Sequence, residues 1–248
     1  MGYVFDFNDA KAYEQWLKRP TNQRMAVLEN QLLINLLKPL AGKTVLDIGC
    51  GTGASLAPLI EAGLLATGLD PSPYMLDFAA KKFGNRVDLH RGFAEDLPFE
   101  DNSFNYACLN TTLEFVENPR QAIQEACRVA RDRIFLGVLN RYAIKGIQLR
   151  ISGIFKKSIF NQARFFGIWG LKQMIRSLLG DAPVTWRTVC HLPKASGVIA
   201  QKIERFSLVQ RCPFGMFIGL VVILVPRLIT KPLTIPYRAK QTTGELTS

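Results

Sequence analysis

Two aspartates and three glycines in "VLDIGCGTGA" and "ATGLD" are spaced in a way that narrows the chemistry open to this chain. Gly49, Gly51 and Gly53 follow a short apolar run, and glycines between a strand and a helix start let a ligand come close to the backbone. The glycines alone are not decisive, because Gly49-x-Gly51-x-x-Ala54 also satisfies a relaxed dinucleotide pattern. Asp70 ends the next apolar run, where a carboxylate accepts both hydroxyls of a ribose, that of NAD included. Asp47, two residues before the first glycine, separates the readings. A carboxylate there repels a pyrophosphate but suits an ammonium or sulfonium group, directly or through water. The pair points away from NAD and towards S-adenosyl-L-methionine (SAM). The plain alternative for Asp47 is a turn acid facing a helix dipole.

The elements that must hold these residues alternate along the chain. The opening residues through Pro39 read as helical, with Leu28, Leu32, Leu33, Leu36 and Leu37 on one face. Strands follow at "KTVLDIG", "LLATGLD", "RVDLHRG", "FNYACLN" and "RIFLGVLN". Helices are expected at "ASLAPLIEAG", "PYMLDFAAKKFG" and "PRQAIQEACRVA". Such alternation predicts a parallel sheet with helices on both faces, and ligands in such sheets bind beyond the carboxyl ends of the strands.

Composition adds limits. The net charge of +11 is concentrated between Arg128 and Arg176, where eleven Lys/Arg face one acid, Asp132. Apolar residues run through the same segment, so anionic lipid, an acidic substrate or nucleic acid are its candidate partners. The five cysteines (Cys50, Cys108, Cys127, Cys190, Cys212) form no CxxC, and the two histidines, His90 and His191, lie far apart. A disulfide framework and a zinc site are not expected, and a reducing compartment fits. No signal peptide is expected at the start, since charges interrupt every short apolar run. Cys50 reads as a small turn residue, because no base is suggested beside it.

The sequence resembles the class I SAM-dependent methyltransferases, and within them the group that includes the menaquinone and ubiquinone C-methyltransferases. Four blocks carry the resemblance: "VLDIGCGTG", "GLDPSPYML", "GFAEDLPFEDNSFNYA" and "LNTTLEFVENP", in the family's order and spacing. A Tyr-x-x-Trp, Tyr13 and Trp16, adds to it, although ordinary packing on an amphipathic helix explains that pair equally. The resemblance implies that Asp47, Gly49, Cys50 and Gly51 line the methionine part of SAM and that Asp70 holds the ribose. It sets Met75, Phe93 and Ala94 near the adenine, Asn110 beneath the sulfonium, and Tyr13 on a helix over the cofactor. Two departures stand out: Phe93 where relatives usually carry Asp or Asn, and Phe115 where His is common. Stacking, or the neighbouring Glu95 or Asp96, is the candidate substitute for the hydrogen bond to the adenine amine that Phe93 cannot make. Glu114 reads as a general base or as a loop charge, and His191 as structural.

The implied fold is α/β and Rossmann-like, with a seven-stranded, mostly parallel sheet, helices on both faces and an antiparallel last strand. "PVTWRTVCHLP" supplies one late strand, and the uncharged Phe214 to Val225 the last. That stretch is expected to be a buried strand and not a membrane span, for which about 20 apolar residues are needed. The implied organisation is a single domain over 1–248, with an N-terminal helical lid over 1–40 and a basic, apolar substrate-side insertion over 140–181. The implied activity is methyl transfer from SAM, leaving S-adenosyl-L-homocysteine (SAH), to a small-molecule or lipid-like acceptor, with no metal. A cytoplasmic location is expected, with the basic insertion able to lie on the anionic inner face of a membrane. The alternatives are an RNA methyltransferase, suggested by the basic segment, and a non-catalytic SAM-binding protein, suggested by Phe93 and Phe115.

Overall fold

The strands are short and apolar because most of them are covered on both faces. A computed structural model describes residues 2–143, 163–191 and 207–224. In chain order the first strands are β1 (Thr44–Ile48), β2 (Leu65–Asp70), β3 (Asp88–Arg91), β4 (Phe104–Asn110) and β5 (Ala130–Leu139). Between them lie α3 (Leu56–Glu61), α4 (Pro73–Phe83) and α5 (Pro119–Val129). Both α4 and α5 begin with proline after a side-chain cap, Ser72 accepting from the Met75 N–H and Asn118 from the Gln121 N–H. The later elements are α6 (Ile168–Leu179), β6 (Val184–Val189), the short α7 (Ser207–Gln210) and β7 (Phe217–Ile223).

The sheet runs β3-β2-β1-β4-β5-β7-β6. Its first five strands are parallel, and β7 lies antiparallel between β5 and β6. This is the expected Rossmann-like arrangement. Phe217 and Val221 of β7 join one core cluster with Leu32, Leu33 and Phe135, while Ile218, Leu220 and Val222 join the other with Ile123 and Leu171. Burial on both faces accounts for the apolar run. The strand is shorter than expected at its start, since Phe214 is exposed. Asn140 is fully buried and its Nδ2 donates to the carbonyls of Pro213 and Gly215, at 2.6 and 2.7 Å, which holds those residues in a turn.

The opening helix is in fact two. α1 (Phe7–Leu17) starts from a capping box formed by Asp6 and Asp9, and α2 (Pro20–Leu37) starts at a proline. Pro20 pushes Arg19 into an extended conformation, which breaks the helix there. Asn22 bridges the break, its Nδ2 donating to the Trp16 carbonyl at 2.9 Å. α2 packs on the sheet through Leu32, Leu33 and Leu37, while Ala26, Glu29 and Asn30 of the same helix join α1 and the residues before it at the cleft. Among the described residues no helix is long and apolar enough to cross a membrane. Residues 144–162 of the basic insertion lie outside the described residues.

α2 crosses β7 at a glycine. A Cβ on Gly219 would stand 2.8 Å from Cδ2 of the buried Leu32. Gly219→Val should therefore cost ~1–3 kcal/mol in urea denaturation. Gly170→Ala on α6, where the added Cβ meets nothing within 4 Å, should stabilise by ~0.4–1 kcal/mol in the same assay.

Candidate cofactor and active site

The loops at the carboxyl ends of β1, β2 and β4 converge on one cleft. The chain turns sharply after β1, where Gly49 has φ +72° and a Cβ would run into the Thr112 side chain. Thr112 follows β4 and donates from Oγ1 to the Ile48 carbonyl at 2.8 Å, so the two loops are tied back to back. Asp70 joins the next pair: its Oδ2 accepts from the Gly51 N–H and its Oδ1 from the Ser72 N–H, both at 2.9 Å. Burial raises its pKa to about 6, against the opposing pull of those two N–H groups. Each Asp70 oxygen keeps a lone pair for a further donor, such as a ribose hydroxyl.

Asp47 lies behind this surface. It is completely buried and does not line the cleft; Ser55, which does, donates to its Oδ2 at 2.6 Å. Its Oδ1 has no hydrogen-bond partner. Burial lifts its pKa to about 7, with the Ser55 bond opposing and the charge of Asp70 adding. An unpartnered buried carboxylate oxygen of this kind is costly unless a cation is brought near it. The Oδ1 of Asn110, at the end of β4, is also buried without a partner. These atoms fit the sulfonium and ammonium groups of SAM, and among the described lining residues there is no lysine, arginine or histidine. Asp9, Glu29, Asp70 and Glu95 line it instead.

The N-terminal segment closes one side. The Tyr3 N–H donates to the Phe115 carbonyl at 2.8 Å, and Ser72 Oγ donates to the Phe5 carbonyl at 2.6 Å. The rings of Phe5 and Phe115 meet edge to face with centroids 5.1 Å apart, and the Tyr3 hydroxyl donates to Asp9 at 2.6 Å. Tyr13 and Trp16 are stacked on each other at 5.8 Å and both line the cleft.

Of the residues singled out from the sequence for the cofactor, Tyr13, Gly49, Cys50, Gly51, Asp70, Met75, Phe93, Ala94, Asn110 and Glu95 line this cleft, whereas Asp47 and Asp96 do not. Cys50 is buried and its thiol is pushed well above its ordinary pKa by burial, then by Asp47 and Asp70, so it is held unreactive. His191 sits outside the cleft lining, with Nε2 3.1 Å from Thr188 Oγ1. Sequence reasoning missed Ser55, Thr112 and the segment 2–6. Only the Asp6-x-x-Asp9 spacing, a helix-start signal, hinted at the last of these.

Glu114 is neither loop charge nor cleft wall. It is 1% exposed, its Oε1 accepts from the Leu139 N–H at 2.6 Å, and its Oε2 has no partner. Burial raises its pKa to about 8, the Leu139 bond opposing and Glu29 adding. An acid with a raised folded pKa favours the folded state fully below its unfolded pKa and loses that contribution as pH rises through the folded one. The loss should run from about pH 4.5 to about pH 8. Glu114→Gln should flatten that decline in thermal melts; an unchanged slope would mean that the carboxyl titrates normally.

Comparison with known proteins agrees with this geometry. Residues 46–135 match the family described as "Methyltransferase domain". An uncharacterized protein of Methanocaldococcus jannaschii is 33% identical over 177 residues, 71% of this chain and 80% of its own length. A demethylmenaquinone methyltransferase of Clavibacter sepedonicus is 32% identical over 117 residues, 45% of this chain and 48% of that enzyme. This chain is thus matched to about half of that enzyme. A crystal structure from Thermotoga maritima, described as a SAM-dependent methyltransferase and possible histamine N-methyltransferase, has the same fold. Its TM-score is 0.67 at 23% identity, covering 88% of this chain and 96% of that one. With the glycine turn, the paired acids and the sheet order in place, the chain belongs to the class I SAM-dependent methyltransferases.

Proposed function

We propose that this methyltransferase acts on a small, lipophilic acceptor admitted beside SAM in the cleft. The observation that carries the reading is the lining: aromatic and aliphatic side chains and carboxylates, with no cation among the described residues. Phosphate-rich or carboxylate-rich acceptors would find repulsion there, whereas a neutral apolar ring would find Tyr3, Phe5, Phe115 and Val116. The likeness to a demethylmenaquinone methyltransferase supports the same class of acceptor. The residues between 1 and 40 nearest the cleft serve as its lid, and the basic segment over 140–181 serves as the substrate-side insertion and the membrane-facing surface.

SAM supplies an electrophilic methyl group on a sulfonium and leaves as SAH. Asp70 holds the ribose hydroxyls. The loop from Gly49 to Gly51, with Cys50, lines the methionine part, and Asn110 and the charge of Asp47 stand near the sulfonium. Met75, Phe93 and Ala94 flank the adenine, and Tyr13 covers it from α1. The chain's own contribution to rate is to hold the acceptor in line with the methyl, within about 3–3.5 Å, and to exclude water.

Three outcomes follow. Asp70→Ala should abolish SAM binding in calorimetry, and near-normal affinity would sink the ribose assignment. A sulfonium near Asp47 favours its ionised form, so SAM affinity relative to SAH should rise as pH passes through about 7, and Asp47→Asn should remove that rise. With methyl-labelled SAM and cell extracts, label should enter the organic-solvent-soluble fraction; label confined to RNA or to aqueous metabolites would overturn the acceptor class.

A further inference from the structure

The segment that closes the cleft brings three rings and one carboxylate together. The centroids of Tyr3 and Phe5 lie 5.2 Å apart, those of Phe5 and Phe115 5.1 Å, and those of Tyr3 and Phe115 6.5 Å. All three residues line the cleft. Asp9, in the first turn of α1, is half-buried, lines the cleft as well, and stands at the hydroxyl end of Tyr3. Its Oδ2 accepts twice, from the Tyr3 hydroxyl at 2.6 Å and from the Asp6 N–H at 3.1 Å. Its Oδ1 accepts from none of the described residues. Tyr3 has given its one side-chain proton to Asp9, so the pair offers a carboxylate oxygen and no further donor.

We propose that Asp9 is a specificity-determining residue for the acceptor, its Oδ1 receiving the hydrogen bond of a neutral hydroxyl carried on an apolar ring. This rests on the reading of a lipophilic acceptor beside SAM given above. Tyr3, Phe5 and Phe115 hold the ring by their faces and edges, and Asp9 reads the one polar group on it. A group that only accepts, such as a ketone or an ether, would set its lone pairs against those of Oδ1 and leave both unpaired. A cationic donor is disfavoured for a different reason. SAM already brings a sulfonium and an ammonium group against one carboxylate, and a second cation beside them is repelled most strongly where water is excluded. A neutral hydroxyl meets both demands, and a site built to bond it rejects the analogue that lacks it.

The test is calorimetric binding of 2-naphthol and of 2-methoxynaphthalene to the full chain saturated with SAH. The two probes share a ring system and an oxygen, and only the naphthol has a proton to give. The wild type should prefer 2-naphthol by about tenfold, the worth of a hydrogen bond to a charged acceptor. Asp9→Asn keeps one oxygen for the Tyr3 hydroxyl and the Asp6 N–H and puts an amide NH2 group in place of Oδ1. In that variant the preference should fall to within about twofold, with SAH still bound. Equal binding of the two probes by the wild type would overturn the inference and leave the lipophilic acceptor site standing. A preference that survives in Asp9→Asn, as a clash with the methoxy group would, does the same. Loss of SAH binding in Asp9→Asn would assign the residue to the cofactor and overturn it too. Failure of both probes to bind beside SAH would instead overturn the acceptor reading, and this inference with it.

Discussion

The carboxylate of Asp70 is the point from which the rest of the site is hung. Its two oxygens take N–H groups from two different loops, one after β1 and one after β2. Neither loop is held by a strand ladder at that position, so the acid substitutes for one. Ser72, whose N–H it receives, is also the cap of α4 and, through its hydroxyl, the anchor of the N-terminal segment at Phe5. One buried charge thus sets the glycine turn, the start of a helix and the edge of the cover. Burying it raises its pKa, so a group that orders the apo protein also stands ready to receive further donors.

Charge is partitioned in the same spirit. The chain carries +11, with a dense positive run in the second half, yet the described cleft lining contains acids and no basic side chain. A cation entering the cleft leaves a repulsive surface for an attractive interior, and the gain comes where water is most excluded. Asp47 carries this furthest. It is packed behind Ser55 with one oxygen unpartnered, a state that the fold tolerates at a cost and that a bound positive group relieves.

Most of the sheet was legible because buried parallel strands must be short and apolar and must end where the chain turns, as "TVLDI" and "LATGLD" do. The glycine turn and Asp70 were legible for the same reason, since backbone demands limit which residue types fit. What escaped depends on contacts distant in sequence. Glu114 looks like a loop charge, but the Leu139 N–H, 25 positions later, needs an acceptor and draws it inside. The helix break at Pro20 was marked by a proline, yet the apolar spacing on both sides hid it. The start of β7 was misplaced by three residues, because Asn140 captures the carbonyls of Pro213 and Gly215, and nothing in "PFGMF" shows that.

The place of β7 has a consequence for how the molecule is made. The last of the described strands takes the position between two that precede it, so β5 and β6 have no common partner until residue 223 has been synthesised. Until then one edge of β5 stays open, flanked by apolar side chains on both faces, the kind of surface that pairs with the wrong chain. Closure is a long-range event that joins the two ends of the described fold, since α2 packs across that strand at Gly219. The first half, which holds the glycine turn and Asp70, can collapse early. Only the placing of β7 seals the apolar core against which that half is braced.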